Sequence, residues 1–406
     1  MSALPHPLAN LKVVELAEDI GGEFTGALLG RLGAQVVKIE SSEGSPTRRI
    51  GPFVHGREDD PDASLNFWFY NANKESVTVD LTTADGTAAL GRLLDEADLL
   101  ICGLQPRALA ELGLDLETLA QACPQLIVLS VTPFGLSGPW ADYKSSDLVA
   151  LALGGPLIMC GYDDHAIPPI RPGGNQGYHS AGSFALIGVI LALLERQRTG
   201  RGQVLEISMH DACAVNVELA NPYWFYPRVL VNRQTCRHAQ PSPTQPALFA
   251  CADDRYVYFA LILSDSKAWS TLVGWMDSKG MAGQLTDPAF DDIAYRQAHF
   301  QEVQDLIECF FLVQDSHEAY RDGQAAGLPV GVLNAPEDLF EDEHLRARGF
   351  FVEVEHEGVG KVPYPGPIYR FSSFEEAPRL AAPRLGQHSA AVLGQTPAKG
   401  MQEVES

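Results

Sequence analysis

The sequence, 406 residues long, contains no CxxC pair. Its seven cysteines, Cys102, Cys123, Cys160, Cys213, Cys236, Cys251 and Cys309, are scattered, and no histidine joins them at ligand spacing. That excludes a zinc ribbon or a disulfide framework and predicts reduced, buried thiols in a cytoplasmic protein with no metal. Basic residues are scarce: 29 Lys and Arg stand against 52 Asp and Glu, a net charge of −23. A chain of that sign repels polyanions, so neither nucleic acid nor an anionic membrane is an expected partner; a locally basic pocket can still hold a small anion. Long apolar runs are missing. The longest, Phe184–Leu194, falls short of the ~20 residues a bilayer requires and reads as a buried helix. The opening "MSALPHPLANLK" has no basic stretch followed by an apolar one, so no secretory signal is expected. The first glycine turn, "AEDIGGEFTG", is not GxGxxG, which disfavours a nicotinamide or flavin site.

What is present is alternation. Short apolar strands at Leu11–Leu16, Gln35–Glu40, Ser76–Leu81, Asp98–Cys102, Leu126–Thr132 and Gln203–Ser208 are separated by segments of helical apolar spacing, among them 21–34, 84–97 and 116–123. Strand, helix, strand in repetition implies right-handed crossovers and a doubly wound, Rossmann-like α/β sheet. From about Pro222 the chain turns proline-rich and polar, and a strand is expected over Arg255–Leu263 with helices between Lys267 and Ala326. The expected organisation is a large domain over 1–221, a smaller α+β domain with linkers over 222–330, and a return segment, 331–406, completing the large domain.

Seven ordered motifs carry a resemblance: "LGAQVVKIE", "SPTRRIGPF", "NANKESVTVDL", "VTPFGLSGPW", "LLERQRTGRGQVLEISM", "EDEHLRARGFF" and "PRLGQHSAAVLG". In these the chain resembles the family III (CaiB/BaiF) CoA-transferases, which include formyl-CoA transferase and the α-methylacyl-CoA racemases. The resemblance implies two protomers threaded through each other as an interlocked dimer. It also implies coenzyme A thioesters as substrates, with no tightly bound cofactor. In that family an aspartate attacks the donor thioester to give a mixed anhydride. CoA thiolate then attacks the aspartyl carbonyl, and the acceptor acid is exchanged in, so that one hard step becomes several easier ones.

The family's aspartate opens a D-x-x-T-G turn at the start of the long helix. Here the matching segment is "YHSAG", with Tyr178 in the aspartate's place and His179 beside it; 165–194 holds no Asp or Glu at all. An unionised phenol cannot carry the acyl group. Three expectations follow. The chain is a non-catalytic subunit whose paralogous partner supplies the aspartate, with a donor such as succinyl-CoA and an acceptor such as benzylsuccinate, an acid of anaerobic toluene degradation. Or it is a self-sufficient homodimer working through His179. Or it binds acyl-CoA without reaction. Lys144 and Asp147 match positions that line the cleft in formyl-CoA transferase. Lys74, Arg48 and Arg107 are the expected CoA-binding cations, guanidinium groups being suited to phosphate. The racemase histidine is replaced by Ser146, so proton abstraction is disfavoured. "CGLQPR" (Cys102–Arg107) and Ser41 depart from the family's CoA pattern, and no tetraglycine lid is found.

Overall fold

Leucine-rich and β-branched segments alternate with helices through the first half of the chain. In the computed structural model, which describes residues 6–260 and 265–394, six of them form one parallel sheet. The strands are β1 (Lys12–Leu16), β2 (Gln35–Glu40), β3 (Glu75–Thr78), β4 (Leu99–Cys102), β5 (Ile127–Thr132) and β6 (Val204–Ser208), in the order β3-β2-β1-β4-β5-β6. The helices between them are α1 (Ile20–Arg31), α2 (Leu65–Asn71), α3 (Ala84–Glu96), α4 (Pro106–Glu111), α5 (Leu116–Ala122), α6 (Asp147–Leu153) and α7 (Gln176–Thr199); α8 (Met209–Val215) follows β6. The α/β class read from the alternation is the one observed. Every residue of β4 and β5 is buried, as expected of parallel strands covered on both faces. Helices α3 and α5 cover a face built from Val14, Val37, Leu100 and Val128, and α1 and α7 cover the other. Since β1 lies between β2 and β4, the winding reverses between β1 and β4. In such sheets ligands bind outside the carboxyl ends of the strands at that reversal.

Helix α7 differs from its expectation. It runs for 24 residues and is, by length and composition alone, long and apolar enough to cross a membrane. Nor is it a fully buried helix. Ala181, Ala185, Val189 and Ala192 are buried on the side that meets α1, β5 and β6. Ile187, Leu191 and Leu194 are 56%, 61% and 58% exposed. Small residues cover the inner face and large apolar ones line the open face, a division that an apolar run does not reveal. The closest helix contact has a specific cause: a Cβ on Gly182 would lie 2.6 Å from Phe24 of α1. Any larger residue at 182 forces the two helices apart.

The chain divides into two units: Met1–Pro156, Gly173–Val217 and Glu343–Ser406 in the first, Leu157–Pro172 and Glu218–Asp342 in the second. The boundaries expected at 222 and 331 thus fall at 218 and 343, and 157–172 joins the second unit rather than the first. That unit holds an antiparallel sheet of Leu248–Ala250, Tyr256–Phe259 and Val330–Val332 around a core of Trp269, Leu272, Phe310 and Phe311. The strand expected over 255–263 ends at Phe259, and 261–263 lie outside the described residues. In the first unit the return segment closes the sheet edge: Ser76 N–H donates to His388 Nδ1 at 3.2 Å and Thr78 N–H to Ser389 Oγ at 3.0 Å.

Candidate active site at the mouth of the long helix

A Pro-Gly-Gly-Asn turn leads into α7, with Gly174 at φ +75°, a left-handed conformation that suits glycine. Asn175 occupies the N-cap position but makes no side-chain cap bond; its Nδ2 donates to the Tyr70 hydroxyl at 3.0 Å. Capping falls to Asp147, buried at the start of α6, whose Oδ1 accepts from Gly177 N–H at 2.7 Å. A carboxylate there satisfies an orphan donor and meets the positive end of the helix dipole. Asp147 therefore has an evident architectural task. Lys144, three residues earlier, is exposed.

Tyr178 sits in the first turn of α7, half-buried. Burial, reinforced by the charges of Asp19, Asp147 and Glu23, pushes its phenol well above the usual range, so it stays protonated at any ordinary pH. Its neighbour His179 packs against Phe24, the rings tilted with centroids 4.6 Å apart, and its Nε2 lies 2.9 Å from the Tyr70 hydroxyl. Asn175 also donates to that hydroxyl oxygen, so Tyr70 links the amide and the imidazole, with the donor between Tyr70 and Nε2 set by the histidine tautomer. Burial lowers the His179 pKa, opposed by Asp147. The ring is thus a neutral member of an Asn175–Tyr70–His179 chain. Cys213 is another nucleophile type at this helix start, its Sγ 3.4 Å from where a Cβ on Gly177 would stand. Burial, with Asp147, raises its thiol to about 11, which leaves it inert.

The acidic group at the mouth comes from another helix. Asp19 caps α1, its Oδ1 accepting from Gly22 N–H at 3.1 Å. Burial raises its carboxyl to about 6, with Glu23 adding to the rise and the Gly22 and Gly21 amides and Lys38 opposing it. A Cβ on Gly21 would lie 3.4 Å from Asp19 Oδ1, from the Tyr178 ring and from Val131 of β5. The glycine leaves the space between carboxyl and phenol open. Asp19, Tyr70 and Asn175 escaped the sequence reading. The acidic residue before "IGG" was a signal for Asp19, since Asp is a preferred N-cap. No signal ties Tyr70 to a residue more than a hundred positions away.

Two of the expected CoA-binding cations are committed elsewhere. Lys74 Nζ is buried against Glu15 Oε1 (2.9 Å) and Oε2 (2.8 Å), the Glu23 carbonyl (2.8 Å) and Asn71 Oδ1 (2.8 Å). Arg48 is buried with Nε and Nη2 on Glu40 at 2.7 Å, Nη1 on Asp62 at 2.8 Å, and its guanidinium 3.8 Å from the centre of the Phe67 ring. Each cation has carboxylate partners in the interior, and turning it to a phosphate would take it away from them. Arg107 is exposed at the start of α4, its backbone N–H on Asp142. Gln105, where the family pattern was eroded, clamps the carbonyls of Ala141 and Tyr143 at 2.9 Å each. Among the described residues no group of three His, Cys, Asp or Glu side chains is arranged to hold a metal.

Comparison with known proteins places these features. Residues 8–389 match the family model "CoA-transferase family III". The chain is 31% identical to the succinyl-CoA:(R)-benzylsuccinate CoA-transferase subunit BbsE of Thauera aromatica, over 95% of this chain and 93% of that one. It is 29% identical to the succinyl-CoA–D-citramalate CoA-transferase of Chloroflexus aurantiacus, over 95% and 92%. A crystal structure of a CaiB/BaiF family protein from Brucella suis superposes with a TM-score of 0.82 at 27% identity, covering 96% of this chain and 98% of that one. With a parallel sheet wound in the order described and a family match over nearly its whole length, the chain belongs to CoA-transferase family III.

Proposed function

We propose that this chain is the non-catalytic subunit of a heteromeric family III CoA-transferase. The assembly moves CoA from an acyl-CoA such as succinyl-CoA to a carboxylic acid such as benzylsuccinate, and a paralogous subunit supplies the nucleophilic aspartate. The observation that carries this reading is Tyr178: the first turn of α7 presents a phenol whose ionisation burial opposes. An anhydride intermediate requires a carboxylate that attacks the thioester and leaves again as CoA returns. A neutral phenol does neither.

The likeness to BbsE, a protein named as a subunit, supports a two-subunit enzyme of this kind. The open apolar face of α7, Ile187, Leu191 and Leu194, supports an assembly in which a second chain covers it, the interlocked dimer expected from the family. The described cysteines are all free, in keeping with a cytoplasmic home. CoA thioesters are its substrates rather than resident cofactors, and Arg107 and Lys144 are the exposed cations we assign to them. The alternative, turnover through His179, has the Tyr70 hydroxyl against it, because a hydrogen bond to that hydroxyl already engages Nε2.

The test is reconstitution. The purified chain is assayed for CoA exchange between succinyl-CoA and benzylsuccinate, alone and co-expressed with a paralogue that keeps the aspartate. Exchange by the pair and none by the chain alone is the expected outcome. Robust exchange by the chain alone rejects the reading.

A further inference from the structure

The winding reversal places a crevice at the carboxyl ends of the strands. A cavity of about 660 Å³ lies at their opposite, amino ends, where Lys12, Gln35 and Glu75 begin β1, β2 and β3. We propose that this cavity is a second ligand site. It takes a medium-chain aliphatic carboxylate, with the acid group on Arg92, the His388 imidazole as a second donor and the alkyl chain on an apolar floor. The inference is independent of the silent-subunit reading and uses none of the groups at the mouth of α7.

The cavity belongs wholly to the first unit. Its floor is the start of the sheet: Lys12 is in register with Gln35, Val14 with Val37, and Val37 with Glu75. One wall is α3, where Ala89, Arg92, Leu93 and Glu96 recur at i, i+3, i+4 and i+7 and so share a face. The other wall is the return segment, with His388 just ahead of the short helix Ser389–Leu393. Val14, Val37, Leu93 and Val392 are part of the apolar core on this side of the sheet, so the depth of the cavity is apolar. A volume of this order suits an organic ligand rather than a lone ion.

The polar groups of the lining decide the charge of the occupant. Both acids are engaged: Glu96 holds Lys12 Nζ at 2.9 Å, and both oxygens of Glu75 accept from Gln35 Nε2 at 3.3 Å. The groups left over are donors. The exposed Arg92 guanidinium makes no hydrogen bond or ion pair to any described residue. His388 Nδ1 accepts from the Ser76 N–H at 3.2 Å. A backbone amide can only donate, so the neutral ring carries its proton on Nε2, and that N–H has no acceptor among the described residues. A guanidinium matches a carboxylate with two parallel hydrogen bonds. An alkyl chain behind the acid removes valine and leucine surface from water, whereas an amine would meet the like charge of Arg92.

The test is calorimetric titration of the full chain with octanoate at neutral pH, with octylamine and octan-1-ol as controls. Saturable binding of one octanoate per chain is expected, with no binding of octylamine and octan-1-ol weaker by about tenfold. Arg92→Gln should weaken octanoate about tenfold, and His388→Asn, which keeps an acceptor for Ser76, about fivefold. Ala391→Trp, at an exposed position of the lining, should fill the cavity and abolish binding while leaving the thermal melt in place. Saturating free CoA should leave the octanoate affinity unchanged, because the two ends of the strands are separate. Octanoate affinity unaltered by Arg92→Gln and Ala391→Trp, octylamine bound as well as octanoate, displacement of octanoate by CoA, or no binding at all overturns the proposal. None of these readings depends on whether the chain turns over alone.

Discussion

Two clusters of charged and polar side chains lie within one turn of each other along α1, and they are built on opposite terms. Around Glu15, Glu23, Lys38 and Lys74 every side chain is essentially dehydrated and each cation has at least two oxygen partners. A second part of the same interior holds Glu40 on Arg48. At the helix mouth, Asp19, Tyr178 and His179 are only partly buried, and their hydrogen-bonding capacity is incompletely used. Burial acts on both clusters; close counter-charges override it at Lys38 and Glu40, while at Lys74, as at Asp19, burial prevails. Burial alone would lower Lys38 and raise Glu40, yet Glu23 and Glu15 lift Lys38 and Arg48 brings Glu40 to about 2. Asp19, with Lys38 only a minor influence, is left at about 6. Charges held by close counter-charges stay ionised in the interior; a carboxyl whose counter-charge is more distant is left to burial.

Substitutions should separate the two regions. The largest effect is expected at Lys74. Lys74→Ala removes one of the two buried cations on the Glu15 carboxylate, leaving Lys38, and should cost about 3–5 kcal/mol in urea denaturation; a loss below about 1 kcal/mol would mean that the cluster is not dehydrated. Next is acid stability. Because Glu40 titrates at about 2 when folded and 4.5 ordinarily, its contribution is complete above pH 4.5 and disappears as pH falls through 2. That amounts to about 3 kcal/mol. Arg48→Ala should abolish this pH dependence, seen as a flatter acid limb in thermal melts.

The helix mouth should behave with the reverse sign. Asp19 binds its proton more tightly folded, at about 6, than its ordinary 3.8, so stability is lost as pH rises between those values and stays lost above. Asp19→Asn keeps the cap and removes the charge. It should stabilise the chain at pH 8 by up to about 3 kcal/mol and change little at pH 3.5. Destabilisation at pH 8 would place Asp19 with the structural charges instead. The smallest effect belongs to His179→Ala, which breaks the Tyr70 contact: about 1 kcal/mol of stability, with CoA exchange by the reconstituted pair unchanged.

The sequence displayed the sheet well because β1, β4 and β5 are short, mostly apolar runs separated by helical spacing. It displayed the vacancy at 178 because a residue type is visible without coordinates. It did not display the buried partners of Lys74 and Arg48, because a basic residue in a loop has the same letter whether it meets a phosphate or a buried glutamate. Their partners, Glu15 and Glu40, lie 59 and 8 residues away, and only the fold brings them together. Asp19 was legible as a helix cap, but its nearness to Tyr178 and Val131 across Gly21 depends on α7 and β5. The open face of α7 was hidden by its composition, since eleven apolar residues in a row look alike from every side.

The central claim is that no acyl group is ever carried by this chain. It is tested most directly by incubating the reconstituted two-subunit enzyme with succinyl-CoA, quenching with hydroxylamine, and mapping the modified residue in each subunit by mass spectrometry. The expected result is a hydroxamate on the partner's aspartate and an unmodified peptide across Gly173–Gln203 and Leu11–Arg31 of this chain. A hydroxamate on either of these two segments contradicts it.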